Sequence, residues 1–210
     1  MDRVPEYRYC SADPTHANAY LWPVLRKRLE TQFGSSGSGL RAFDLGSGNG
    51  ATSNFLREFG FDVYGVDTSN SGVALARKFY PRCHFEVASV YDDLAGRYGR
   101  FDVVVSLEVI EHLYDPRKFM ARTYELLKPG SPCMISTPYH GYLKNLALAF
   151  SGKMDRHFTA LWDGGHIKFW SEKTLGHLLA ESRFENIQFD RAGRIAPLAK
   201  SMLAIATKPI

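Results

Sequence analysis

The sequence is short of cysteine, of long apolar runs and of blocks of one charge, and each shortage excludes something. Cys10, Cys83 and Cys133 are the 3 cysteines among 210 residues. They are odd in number and widely spaced, with no Cys-x-x-Cys pair. That argues against a disulfide framework or a thiolate zinc site, and fits a reducing cytosol. No stretch approaches the roughly 18 uninterrupted apolar residues of a membrane-crossing helix, and the most apolar late stretch, 196–206, is broken by Lys200. Met1-Asp2-Arg3-Val4-Pro5-Glu6 holds no apolar core, so no secretory leader is expected. The charges nearly cancel: 26 Lys+Arg against 22 Asp+Glu leave +4, spread along the chain. The longest basic cluster, Arg26-Lys27-Arg28, reads as the solvated face of a helix rather than a nucleic-acid arm. A cytoplasmic protein with no nucleic-acid partner and no stable membrane insertion is expected.

No internal repeat is present, and Gly34-Ser35-Ser36-Gly37-Ser38-Gly39 is the single low-complexity run, a flexible connector. The 45% apolar residues suffice for a packed core. Ahead of the connector, residues 19–33 place Leu21, Val24, Leu25 and Leu29 at helical spacing. After it, β-rich runs at 41–45, 62–66, 84–88, 101–107 and 133–137 alternate with helical stretches at 52–59, 71–80 and 116–127. Lys128-Pro129-Gly130 stops the last of these. Such alternation predicts a parallel sheet with helices on both faces and right-handed crossovers. A helix over 172–181 and strands over 184–190 and 201–208 follow, with no helix between the two strands. The fold class expected is α/β: a Rossmann-like, seven-stranded, mostly parallel sheet with a C-terminal antiparallel strand pair. One domain is expected over 1–210. Its parts are an N-terminal helical cover (1–37), a cofactor-binding half (38–137), an irregular aromatic insert covering the acceptor (138–170), and a C-terminal helix and strand pair (171–210).

Between the first strand and its helix lies Asp44-Leu45-Gly46-Ser47-Gly48-Asn49-Gly50. Glycines there permit a tight turn and a close backbone approach to a ligand, and the helix N-terminus offers free N–H groups. Gly46, Gly48 and Ala51 also satisfy the dinucleotide fingerprint, and Asp67, about 20 residues on, suits the ribose hydroxyls of either kind of cofactor. Asp44 separates the two, since a carboxylate so close is awkward beside a pyrophosphate and useful beside an ammonium group.

At this point the sequence resembles the class I S-adenosylmethionine-dependent methyltransferases, whose first motif is Asp/Glu-x-Gly-x-Gly-x-Gly. Asp44, Gly46, Gly48 and Gly50 match its four positions, and the resemblance runs over residues 38–137. It implies S-adenosyl-L-methionine as cofactor, with Gly46 and Gly48 lining the methionine moiety, Asp67 on the ribose, and Ser89 and Val90 beside the adenine. An Asp is common where Ser89 stands. The candidate cofactor-binding set is Asp44, Gly46, Ser47, Gly48, Gly50, Asp67, Thr68, Ser89, Val90, Leu107 and Glu108.

Ser106-Leu107-Glu108-Val109-Ile110-Glu111-His112-Leu113 follows the fourth strand, where methyltransferases of nucleic-acid base amines carry Asn/Asp-Pro-Pro-Tyr. The Glu-x-x-Glu-His pattern followed by Asp115-Pro116 is instead similar to the small-molecule branch, particularly the ubiquinone-biosynthesis O-methyltransferases. Glu108, Glu111 and His112 share one face of a helical turn. Three roles stay open for them: Glu111 or His112 as general base for an acceptor hydroxyl, the trio as ligands of a divalent cation that lowers the acceptor pKa, or acids that cap the next segment. No metal is assigned, because no fourth ligand is identifiable.

Tyr139, His140, Tyr142, His157, Trp162, His166, Phe169 and Trp170 crowd residues 138–170 and suit a planar or amphipathic small-molecule acceptor. His140, just past the fifth strand, joins His112 and Glu111 as a catalytic candidate. The run 142–150 is apolar apart from Lys144 and Asn145, and suits contact with a lipidic substrate or a membrane less well, for want of basic partners. The expected function is methyl transfer to a small molecule, foremost to a hydroxyl oxygen. A nicotinamide-dependent reductase or epimerase is a second reading. Tyr124 and Lys128 have the spacing it needs, but they close a crossover helix, away from the cofactor edge. A non-catalytic cofactor-binding protein is the third.

Overall fold

The computed structural model describes residues 7–210; the stretch 1–6, over which no secretory leader was expected, lies outside them. Seven strands form one sheet in the order β3-β2-β1-β4-β5-β7-β6. β1 (Arg41–Leu45), β2 (Asp62–Asp67), β3 (His84–Val87), β4 (Val103–Leu107) and β5 (Pro132–Pro138) are parallel. β7 (Ser201–Thr207) runs antiparallel between β5 and the edge strand β6 (Glu185–Ala192). This is the sheet expected from the alternation of the sequence.

The period of two along each strand divides the core. Phe43, Leu45 and Val104 point to one face, where α4 (Leu94–Tyr98), α5 (Pro116–Leu126) and α8 (Glu172–Glu181) deliver Leu94, Phe119, Met120, Leu175 and Leu179. Ala42, Val103 and Val105 point to the other, against Leu25 and Leu29 of α1 (His16–Phe33), Phe55 and Leu56 of α2 (Ala51–Phe59), and Val73 of α3 (Asn70–Phe79). The helix starts are locally encoded. The side chain of Asp115 accepts the Lys118 N–H at 2.9 Å with Pro116 in the first turn, and the Ser69 hydroxyl accepts the Gly72 N–H at 3.1 Å.

The segment 138–170 departs from expectation. It is not irregular throughout but carries α6 (Tyr142–Phe150) and α7 (Met154–Phe158). Among the described residues no helix is long and apolar enough to cross a membrane.

Candidate functional site

At the carboxyl ends of the parallel strands β2 and β4 lie to either side of β1, so the connections after β1 and β4 part there and leave a crevice. The crevice is a cleft of about 910 Å³. The loop after β1, the end of β2, the turn after β3 and the segment after β4 supply its floor, while Tyr9, Asn18 and Leu21 on one side and Trp162 and His166 on the other rise above it.

Of the expected cofactor-binding residues, Gly46, Ser47, Gly48, Asp67, Thr68, Ser89, Val90, Leu107 and Glu108 line the cleft. Asp67 is fixed by two backbone donors, the N–H of Gly48 at 2.9 Å and of Ser69 at 2.8 Å. Its carboxylate thereby ties the glycine loop to the end of β2.

Two members of the glycine motif are placed otherwise. Asp44 does not line the cleft: it is buried behind the loop, accepts the Ser53 hydroxyl at 2.6 Å, and burial pushes its carboxyl up to about 7. Its strand position was legible, but its side chain is bonded to Ser53 of α2 instead of lining the cleft. Gly50 is likewise a packing residue. Its φ is +83°, and a Cβ there would stand 2.7 Å from Ala76 Cβ and 2.9 Å from Phe85 Cζ.

The segment after β4 breaks the expected single face. Glu108 adopts φ 57° and precedes the short 3-10 turn Ile110–His112, so it is not in helical register with Glu111 and His112. Its carboxylate turns to the sheet, accepting the Ser136 hydroxyl at 2.8 Å and the Ser201 hydroxyl at 3.1 Å. Burial raises it to about 7, partly offset by those two hydroxyls. Glu111 is fully buried, and both its carboxylate oxygens lack a hydrogen-bond partner among the described residues. Burial, and then the neighbouring Glu108, hold its carboxyl well above the usual range.

His112 lies on the cleft wall. Its Nδ1 stands 2.9 Å from the Gly164 carbonyl and 3.2 Å from that of Gly165. Both partners are acceptors, so Nδ1 carries the proton and Nε2 of the neutral ring is left as an acceptor. His166 packs against it with ring centroids 4.8 Å apart, and its Nε2 lies 4.0 Å from Glu111 Oε1. Burial, with His112 beside it, lowers His166 to about 4. Ligand atoms of Glu111, His112 and His166 lie within 4.8 Å of one another, a set with the size and chemistry to take a divalent cation. It differs from the sequence trio by exchanging Glu108 for His166.

His140 is not brought to the cleft lining. It is buried between His157, Phe158 and Phe169, its backbone N–H donates to the Trp170 carbonyl at 3.0 Å, and burial lowers its ring to about 4. It therefore packs the insert onto β5. The wall formed by Tyr9 and Asn18 was not foreseen: Tyr9 lies in a stretch with no periodic pattern, ahead of the first helix.

Comparisons with known proteins agree with this fold. A family described as "Methyltransferase domain" matches residues 16–189. The ubiquinone biosynthesis O-methyltransferase of Cereibacter sphaeroides is 34% identical over 117 residues, 54% of this chain and 47% of that protein. Its namesake in Caulobacter sp. is 36% identical over 118 residues, 54% and 46% of the two. The chain thus spans about half the length of the curated relatives it matches. Among solved structures, magnesium protoporphyrin IX methyltransferase from Synechocystis with bound S-adenosylhomocysteine aligns with a TM-score of 0.63, 19% identity, and coverage of 90% and 79%. The Burkholderia thailandensis 1,6-didemethyltoxoflavin N1-methyltransferase, also at 0.63 and 19%, covers 90% and 76%. At that identity the two speak for the fold alone. With the family match extending over most of the chain, the protein belongs to the methyltransferase domain family.

Proposed function

We propose that the chain is an S-adenosylmethionine-dependent methyltransferase that methylates a hydroxyl oxygen of a small molecule. The observation that carries the hydroxyl is His112, tied through Nδ1 to a carbonyl so that Nε2 is free to take a proton at the cleft wall. An oxygen acceptor needs its proton removed, and a positioned imidazole does this near neutral pH.

The cleft suits the cofactor: its volume is that of a small-molecule site, and Asp67 stands on its lining, bonded to the glycine loop through the Gly48 N–H. When bound, the cofactor supplies a methyl group activated on a sulfonium. Asp67 would take the ribose hydroxyls, Ser89 and Val90 would flank the adenine, and Leu107 would border the site. The protein's work is to hold acceptor oxygen, methyl carbon and sulfur in line. His112 Nε2 would receive the proton that the acceptor hydroxyl gives up in the transfer. The names of the curated relatives, both O-methyltransferases, support an oxygen acceptor.

A mass-spectrometric screen of phenols, catechols and matched amines, with S-adenosylmethionine supplied, tests the proposal. The expected product gains one methyl group on oxygen. Methylation of the amines alone would overturn it. Asp67→Ala is expected to weaken cofactor binding by about 1–3 kcal/mol through lost hydrogen bonds; calorimetric affinity equal to wild type would remove Asp67 from the ribose site.

A second reading is favoured by the unpartnered carboxylate of Glu111 next to two imidazoles. A divalent cation there would lower the pKa of the acceptor hydroxyl, with His112 as ligand instead of base. Dialysis against EDTA separates the two: turnover lost, and restored by added divalent cation, supports the cation, whereas unchanged turnover leaves His112 as the base.

A further inference from the structure

The stretch 7–15, ahead of α1, is laced to the mouth of the cleft. The Ser69 hydroxyl donates to the Tyr7 carbonyl at 2.7 Å, and the Tyr9 N–H donates to the Ser71 hydroxyl at 3.1 Å. Asn49 Nδ2, in the glycine loop itself, donates to the carbonyls of Ser11 at 3.0 Å and Asp13 at 2.9 Å. The Tyr80 hydroxyl donates to the Ala12 carbonyl at 2.6 Å. This strap ties the glycine loop to the start and end of α3, and its tyrosines line the cleft.

Tyr9 is fitted into space that glycines leave open. A Cβ on Gly48, where φ is +52°, would stand 2.4 Å from the Tyr9 hydroxyl oxygen, and a Cβ on Gly72 would stand 2.8 Å from its ring. Any aromatic ring fills that gap; the hydroxyl is a separate matter. It faces the cleft beside Gly48 and Asp67, and among the described residues no hydrogen bond engages it. Facing the cleft, the hydroxyl is free to donate to a ligand acceptor there in place of water. In the cofactor reading Asp67 meets the ribose hydroxyls as an acceptor, which leaves the Tyr9 hydroxyl, a donor beside Gly48, for an acceptor group of the ligand.

We propose that Tyr9 is a cofactor-binding residue: its hydroxyl donates to the carboxylate of the cofactor's amino-acid arm where that arm crosses the glycine loop, and the 7–15 strap covers the arm. This rests on the cofactor reading given above. Two ligands that differ only in that arm test it, S-adenosylhomocysteine and 5′-methylthioadenosine, titrated calorimetrically into wild type, Tyr9→Phe and Tyr9→Leu. Tyr9→Phe keeps the ring and hence the packing. It is expected to weaken S-adenosylhomocysteine about 10-fold, the loss of one hydrogen bond to a charged group, and to leave methylthioadenosine within twofold. Tyr9→Leu is expected to lose more for the first ligand than for the second. Unchanged S-adenosylhomocysteine affinity in Tyr9→Phe would overturn the proposal, as would equal losses for the two ligands. A wild-type protein that binds neither ligand would overturn the cofactor reading itself, a result distinct from the other two.

Discussion

Replacing His112 by alanine is expected to lower kcat by about 10²–10⁴-fold, the contribution of a positioned general base, while cofactor affinity stays near wild type. The asymmetry follows from where the ring stands. Its Nδ1 is bound to the Gly164 and Gly165 carbonyls of the insert, and the ring contacts Trp162 and His166 rather than the glycine loop. Steady-state kinetics at saturating acceptor, paired with calorimetry of S-adenosylhomocysteine, read the two quantities separately. Turnover close to wild type would remove His112 from the chemistry. An acceptor with a more acidic hydroxyl should recover part of the lost rate in His112→Ala, because it needs less help in losing its proton.

Glu111→Gln is expected to make the protein more stable at alkaline pH, and to lower turnover only if Glu111 holds a cation. A buried carboxylate with no partner costs on the order of several kcal/mol once ionised, and an uncharged amide of the same shape avoids most of that. The sign with pH follows from linkage. Glu111 has a folded pKa above its unfolded one, so between the two the folded state holds the extra proton. The stability Glu111 contributes is therefore fully present below the ordinary carboxylate range and is lost as pH rises through the folded value. Glu108 and Asp44, both raised to about 7, slope the same way. Urea unfolding of EDTA-treated wild type and Glu111→Gln, at pH 5 and pH 8, should show the variant's advantage mainly at pH 8. A variant less stable than wild type at pH 8 would mean that Glu111 is satisfied in the folded protein and would refute the argument. A cation held by Glu111, His112 and His166 would offset the same buried charge, so its addition should narrow the gap between the two proteins.

The sheet was legible because its strands carry short β-branched runs and its helices carry their own start signals. Ser171 begins α8 where it was expected, and Pro116 and Asp115 begin α5. The glycine loop was legible for the same local reason. Helix α6 was not, because its apolar residues do not form a buried stripe: Tyr142, Leu143, Leu146 and Phe150 are exposed, and Lys144 is the residue it buries. An apolar period tracks burial, so a helix exposing its apolar side escapes it. Asp44 and His140 were found in sequence, yet their side chains point away from the cleft. His166 reaches Glu111 from more than 50 residues further along the chain, and Tyr9 reaches Ser71 across a separation of 62. Such meetings are made by topology and leave no local trace.

The position of β7 bears on how the protein is made. Its seven pairings with β5, from Pro132↔Thr207 to Pro138↔Ser201, lie inside the sheet, yet of the strands of this sheet β7 is the last to leave the ribosome. Until it arrives, β5 of the nascent chain is an open pairing edge, the kind of surface that recruits foreign strands. Ser201, the first residue of β7, also donates the hydroxyl that holds Glu108. Sealing the edge and finishing the wall behind the cleft are thus one event, and a ribosome-bound chain cut short before it is both sticky and inactive.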